Sequence, residues 1–390
     1  MKKLISVVLL VAMCMCFMAG CGSSESSAPA ASGEAVYKIG STGPITGDAA
    51  IYGQAVMHGA QIAVDEINAA GGINGVKVEY KFEDDIADGE TAVNAYNKLM
   101  DWGMQIMVGP VTSGAAIAVS AKSFEDRVFG LTPSASSTDV TAGKDNMFQL
   151  CFADPNQGSG SAVYMANDAE MKNAKIAVIY RNDDAYSQGI RDTFVVEAAA
   201  KGLNVVYEGT FTKDTATDFS VQLTAAQAAG ADLVFLPIYY QPASVIFTQA
   251  AAMGYAPTFF GVDGMDGILT MEGFDAKLAE GVMLLTPFSA DAQDDLTKNF
   301  VAEYQKRHGE IPNQFAADGY DCVYAVKAAI EASGVKADAS AEDMCKAMVE
   351  QFTKLSFNGL TGSNMTWGAN GEVAKLPTAV VITNGVYVTA

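Results

Sequence analysis

Val36-Tyr37-Lys38-Ile39-Gly40, Gly53 to Ala70, Gly71-Gly72 and Val76 to Phe82 follow one another near the start of the chain, and their order decides the fold class. The first five residues read as a short strand. Gly53 to Ala70 sets Val56, Ala60, Ala63, Val64 and Ile67 on one side, the three-and-four spacing of a helix face laid on a core. Gly71-Gly72 supplies a flexible stop. Val76 to Phe82 then alternates with the two-residue period of a strand. Working outward, Asp88 to Trp102 reads as helix, Gln105 to Val108 as strand, Ser113 to Phe124 as helix and Val128 to Thr132 as strand. Strand and helix alternating at this spacing imply right-handed βαβ crossovers and a parallel sheet covered on both faces.

The same rhythm restarts later. Lys175 to Tyr180 reads as strand, Ser187 to Ala200 as helix, Asn204 to Tyr207 as strand and Phe219 to Ala229 as helix. Asp232 to Leu236, Ala243 to Met253 and Thr258 to Phe260 continue it as strand, helix and strand. After about Ala292 come helices near Asp295 to Arg307, Phe315 to Ala332 and Ala341 to Phe352, then strands at Ala379 to Thr383 and Val386 to Thr389. The chain is longer than one core usually serves. The expectation is two α/β lobes in tandem, the late helices returning to the first and the final strands finishing the second.

The start of the chain differs from this body. Met1-Lys2-Lys3 precedes an uncharged run from Leu4 to Gly20, and Cys21 is followed by a Gly/Ser/Ala/Pro stretch to about Ala35. A basic start, a short apolar run and small residues before a cut form a secretory signal peptide over residues 1–20. Met18-Ala19-Gly20-Cys21 resembles a bacterial lipobox, which implies lipidation of Cys21, a flexible linker over 21–35 and a place on the outer face of a cell membrane. The acyl chains would hold the protein by burying methylenes at about 0.8 kcal/mol each.

Composition excludes several classes of function. The 24 Lys and Arg face 45 Asp and Glu, a net charge of −21, whereas a nucleic-acid binder needs clustered basic residues. Cys14 and Cys16 leave with the signal, and the remaining Cys151, Cys322 and Cys345 are too widely spaced for a CxxC site. A Cys322–Cys345 bridge and buried free thiols are both open. His58 and His308 lack metal-ligand spacing and read as ordinary helix or surface residues. There is no GxSxG, HExxH or Walker motif, so neither an enzyme, a metal nor a cofactor is expected.

The order of the remaining motifs is more specific. Ile39-Gly40 leads through Gly43-Pro44-Ile45-Thr46-Gly47 to Tyr52-Gly53-Gln54 and Asp65-Glu66-Ile67-Asn68-Ala69-Ala70-Gly71-Gly72. Val108-Gly109-Pro110 with Thr112-Ser113, Thr132-Pro133-Ser134-Ala135-Ser136, Tyr186-Ser187-Gln188-Gly189 and Gly261-Val262-Asp263-Gly264 follow. In that order the sequence resembles the branched-chain amino-acid-binding proteins of ABC importers, the Leu/Ile/Val-binding family of periplasmic-type binding proteins. The resemblance implies an α/β fold of two Rossmann-like lobes joined by three hinge crossings, near Leu150 to Asn156, Thr286 to Ala290 and Gly359 to Gly368. The lobes would comprise 36–150 plus 290–359 and 156–286 plus 369–390.

It also implies the site. Ser113 falls on the family's carboxylate-binding serine, at a strand-to-helix turn where free N–H groups can hold an anion. In the run Ser134-Ala135-Ser136, Ser134 would offer main-chain groups and Ser136 its hydroxyl. Asp263 matches the acid that pairs with the ligand's α-ammonium, with Asp266 the weaker candidate. Tyr52, Tyr186 and Tyr239 would line the cleft, Tyr240 replacing Tyr239 if the strand register slips. Where well-known members carry a lobe disulfide, this sequence has Ala87 and Thr112. The implied function is capture of an amino acid, foremost a branched-chain one, for an ABC permease and ATPase by a monomeric receptor. A receptor for an amide, urea or aromatic acid, or a sensory binding protein, is the competing reading.

Overall fold

The alternation folds into two separate sheets, and the strand order of each fixes where a ligand can sit. The computed structural model describes residues 35–375 and 377–390, so the expected signal peptide, Cys21 and nearly all of the expected linker lie outside the described residues. The first sheet holds β1 (Tyr37–Gly43), β2 (Val78–Asp84), β3 (Ile106–Val108), β4 (Phe129–Thr132) and β5 (Met147–Gln149). All pairs are parallel, in the order β2-β1-β3-β4-β5. Helices α1 (Ala50–Ala69), α2 (Gly89–Trp102) and α3 (Ser113–Asp126) make the crossovers.

The second sheet begins after α4 (Asp154–Asn167) and is built from β6 (Lys175–Arg181), β7 (Asn204–Phe211), β8 (Leu233–Leu236), β9 (Thr258–Gly261) and β10 (Met283–Thr286). Its crossover helices are α5 (Ala185–Lys201), α6 (Ser220–Ala228) and α7 (Tyr240–Ala252). The chain then returns to the first sheet as α8 (Asp295–His308), α9 (Gln314–Ser333) and α10 (Ala341–Phe352). A small hairpin, β11 (Ser356–Phe357) with β12 (Met365–Thr366), precedes β13 (Thr378–Thr383) and β14 (Val386–Thr389). β13 pairs antiparallel with β10 and β14 antiparallel with β13, giving the order β14-β13-β10-β9-β8-β6-β7.

Packing explains why the late helices go back. Every residue of α9 from Gln314 to Val323 is buried, so the helix must be enclosed rather than laid on a surface. It runs against α1, while α10 lies on β3 and β4. At the crossing of α1 and α9 the two backbones touch, since a Cβ on Gly59 would overlap the carbonyl oxygen of Ala316 and one on Gly319 that of Val56. Glycine is required at both positions for that approach. Val56, Ala60, Ala63, Val64 and Ile67, the expected inner face of α1, are all buried.

Five elements were not legible. β5, β10, β11 and β12 are only two to four residues long. α4 carries Pro155, Gly158, Ser159, Gly160 and Ser161, a composition that reads as a linker, and so the first crossing, placed at Leu150 to Asn156, already runs into α4. Asp-Pro at its start is nonetheless a helix-opening signature, and the helix is held by packing on α5. α1 and α7 also begin three residues earlier than expected, which moves Tyr52 into the first turn of α1 and Tyr239 to the N-cap of α7.

Cys151, Cys322 and Cys345 are buried and free, so Cys322 and Cys345 do not pair. His58 and His308 are not independent helix residues. Their rings stack at 3.8 Å with planes 10° apart, and burial together with His308 pushes His58 down to about 4.

One buried cation ties the crossings together. The Lys375 ammonium donates to the Leu150 carbonyl at 3.2 Å and to Thr361 Oγ1 at 2.7 Å, and stands 3.6 Å from Asp318 Oδ1. Asp321 beside it accepts the N–H groups of Leu360 and Thr361 and the Thr361 hydroxyl.

Candidate functional site

In each sheet the strand order reverses beside a strand one in from an edge, between β1 and β3 in the first and between β6 and β8 in the second. Loops leaving the carboxyl ends of such strands splay apart and open a crevice. The loops after β1, β3, β4, β6, β8 and β9 carry the residues singled out from the sequence. Tyr52, Ser134, Tyr186, Tyr239 and Asp263 line one narrow cavity of about 10 Å³, so five of the eight expected ligand-binding residues meet there.

Its anion-binding side comes from β3 and β4. Thr112 is the N-cap of α3, yet its side chain caps nothing, and its buried Oγ1 has no partner. The N–H groups of the first turn of α3 are thus left to an external acceptor. Ser113 lies just behind, its hydroxyl accepting the Ser137 N–H at 3.2 Å. Ser134 Oγ is spent on the Val111 carbonyl at 2.7 Å. Ala135 is turned inward, its N–H donating to Thr132 Oγ1 and its carbonyl accepting from Gln149 Nε2. Ser136 is fully buried with its hydroxyl unpartnered.

The acidic side comes from the second sheet. Asp263 follows β9, buried, and accepts the Tyr186 hydroxyl at 2.6 Å. Its N–H donates to Gln157 Oε1, and its carbonyl accepts from Gln314 Nε2 at 2.7 Å. Burial pushes its carboxyl up to about 6, against the pull of the Tyr186 and Gln157 hydrogen bonds. Asp266 has the same raised value from burial, but its two oxygens are occupied by the N–H groups of Gly267 and Gln314 at 2.8 Å each. It holds the loop to the start of α9.

Sequence reasoning missed Asp154, the first residue of α4. It is buried, and neither carboxylate oxygen has a partner. Burial first, then the nearby Asp263, raise it well above the usual carboxylate range, with Ser136 alongside pulling the other way. Gly189 of α5 lies against Asp154, where a Cβ would stand 2.8 Å from Oδ2. Two buried acids close enough to raise one another are costly without a cation.

Aromatic rings close the cavity. The Tyr52 ring meets Tyr239 at 5.3 Å, Tyr240 at 5.0 Å and Phe315 at 4.4 Å, and Tyr186 meets Tyr239 at 4.9 Å. Phe315, from the start of α9, was likewise not foreseen. Tyr239 and Tyr240 belong to a helix start rather than a strand, so no register slip exchanges them. Tyr240 instead donates its N–H to Tyr52 Oη at 3.2 Å.

A larger chamber of about 530 Å³ adjoins this cavity and shares Thr112 and Tyr239 with it. Ala87 also lines it, which brings the two positions of the missing disulfide to one wall. Among the described residues no helix is long and apolar enough to cross a membrane.

Comparison with known proteins agrees with this arrangement. The family described as "Periplasmic binding protein" matches residues 36–384. The chain is 32% identical over 308 residues to Leu/Ile/Val-binding protein homolog 3 of Brucella melitensis, covering 78% of this chain and 81% of the relative. The substrate-binding protein LivJ of Streptococcus pneumoniae, solved with isoleucine, superposes with a TM-score of 0.79 at 30% identity, over 91% of this chain and 100% of that one. The leucine-binding protein LivK of Thermotoga maritima gives 0.81 at 25% identity, over 91% and 98%. The chain therefore belongs to the branched-chain amino-acid-binding family of periplasmic binding proteins, solute-binding proteins of ABC transport rather than enzymes, with the two-lobed type I fold.

Proposed function

We propose that this protein captures an α-amino acid between its two lobes on the extracytoplasmic side and hands it to an ABC permease and ATPase. The observation that carries this reading is the pairing of opposite demands around the cavity that Asp263 and Thr112 line. Asp263 and Asp154 are buried acids without a cation, and Asp154 has no partner on either oxygen. Across from them stand the uncapped first turn of α3 and the unpartnered Thr112 hydroxyl. A zwitterion satisfies both at once, its ammonium between the acids and its carboxylate at the helix start.

In this reading Ser113, Ser134, Ala135 and Ser136 shape the carboxylate side, and Tyr52, Tyr186 and Tyr239 close over the ligand. The lobes, 36–150 with 290–359 and 156–286 with 369–390, close about the three crossings. Leucine, isoleucine and valine are the first ligands to try, because the relatives carry those names. Cys21 anchors the monomer by lipid after cleavage of residues 1–20, and the linker to Ala35 leaves the lobes free to move.

Calorimetric titration of the purified protein with the common L-amino acids tests the function. A saturable binding heat with at least one, abolished in Asp263→Ala, is expected. Absence of heat and of thermal shift with all of them would sink it. Cys21→Ala should release the protein from the membrane fraction, and an unchanged fractionation would remove the anchor from the proposal.

A further inference from the structure

The chamber beside the amino-acid cavity has a composition that a branched aliphatic side chain does not call for. Its wall includes Arg181 at the end of β6 and Lys213 just after β7. Arg181 donates Nε to Asp183 Oδ1 at 2.6 Å, which fixes the plane of the guanidinium. Among the described residues its two terminal nitrogens have no partner, and the side chain is only 25% exposed. A guanidinium held by Nε with its fork free is pre-set for a bidentate carboxylate. Lys213, held by its own N–H to Asp183 Oδ2 at 3.1 Å, has no carboxylate within ion-pair distance among the described residues.

Four aspartates share the wall and keep their charge beside the two cations, but three of them are held by hydrogen bonds to groups other than the Arg181 fork. Asp88 caps α2 through the Thr91 N–H and hydroxyl. Asp184 caps α5 through the Ser187 N–H, and Asp183 orients Arg181. Asp48 alone stands free, on the exposed rim. Opposite them, α3 and α7 open on the chamber without side-chain caps, so their positive ends face it. Thr112, 6% exposed with Oγ1 unpartnered, sits where the chamber meets the amino-acid cavity.

We infer that the ligands of this protein extend to amino acids whose side chain ends in a carboxylate, the α groups lying in the inner cavity and the distal carboxylate on the Arg181 fork. The inference rests on the proposed amino-acid head-group site and adds the chemistry of the far end. Lys213 supplies a second charge at the chamber wall, and the chamber volume accommodates a side chain longer than that of leucine.

The test titrates the purified protein with L-leucine, L-glutamate, L-α-aminoadipate and L-glutamine, the last matching glutamate in shape without its charge. At least one of the two acidic amino acids is expected to bind, and glutamate to bind at least tenfold more tightly than glutamine. Arg181→Met should erase that preference, and Arg181→Lys should restore part of it. Equal binding of glutamate and glutamine, or binding of leucine with neither acidic amino acid, overturns the inference and leaves the amino-acid receptor standing. No binding of any of the four or of the other common amino acids overturns both. The wild-type ligand spectrum decides the matter alone if either variant does not fold.

Discussion

The hydroxyl of Tyr52, on α1 beside the first sheet, donates to the carbonyl oxygen of Gly264, which follows β9 of the second sheet. The Tyr52 hydroxyl oxygen in turn accepts the Tyr240 N–H at 3.2 Å. One phenol thus spans the cleft and meets two loops of the opposite wall, in a buried setting where such bonds gain strength. Tyr52→Phe keeps the ring packed on Phe315 but leaves the Tyr240 N–H unpaired. Ligand affinity should fall by about five- to twentyfold, the worth of one to two buried hydrogen bonds, through faster release in stopped-flow measurements. An unchanged dissociation rate would show that the contact contributes nothing to closure.

Asp154 offers a separation of stability from binding. Its carboxylate is buried without partners, so Asp154→Asn removes a group that costs the ligand-free fold free energy. The variant should melt roughly 1 to 3 °C higher without ligand, while amino-acid affinity drops at least tenfold. Calorimetry with and without ligand reads both numbers. A lower melting temperature together with intact binding would contradict the role given to this residue.

The raised acids set opposite pH trends for the ligand-free protein and the complex. Asp263 and Asp266 lie near 6 and Asp318 near 8, each lifted first by burial. Between the unfolded carboxylate value of about 4 and these folded values, the folded state holds more protons than the unfolded one. Their joint contribution to ligand-free stability therefore rises as pH is lowered from about 8 towards 4. Ammonium binding needs Asp263 ionised, so affinity should weaken as pH falls through about 6. Titrations from pH 5 to 8 with parallel melts test the pair of slopes, and affinity that improves with acid would reverse the assignment of Asp263.

Gly319→Ala probes the fold itself. The added methyl would meet the backbone of Val56 across the α1–α9 contact. Overpacking of this kind costs about 1–3 kcal/mol, and because backbone atoms cannot rotate away the upper end is expected. Urea unfolding measures it, and a loss under about 0.5 kcal/mol would mean the helices separate at little cost.

How much of this was readable in advance depended on where each feature draws its cause. β4, β6 and β9 announced themselves through local periodicity, which put Ser134, Tyr186 and Asp263 just beyond strand ends, and the family resemblance marked those loops as cleft-facing. α4 was hidden because its stability comes from α5 rather than from helix-forming residues of its own. Asp154 was hidden with it, since its importance is burial, which only distant chain supplies. Phe315 belongs to a helix that returns from the far end of the sequence, and nothing near it in sequence marks it as cleft-facing. Ser113, Ala135 and Ser136 were expected at the ligand, and the structure sets them one layer behind the cavity wall.

The Lys375 ammonium gives the hinge a mechanical character. It holds the Leu150 carbonyl of the first crossing, the Thr361 hydroxyl of the third, and the Asp318 carboxylate of α9 by its charge. Two connecting strips pinned to one point cannot slide past each other. If the lobes close about these strips as proposed, the cleft swings like a door on a fixed axle, and the same two walls meet again at every closure.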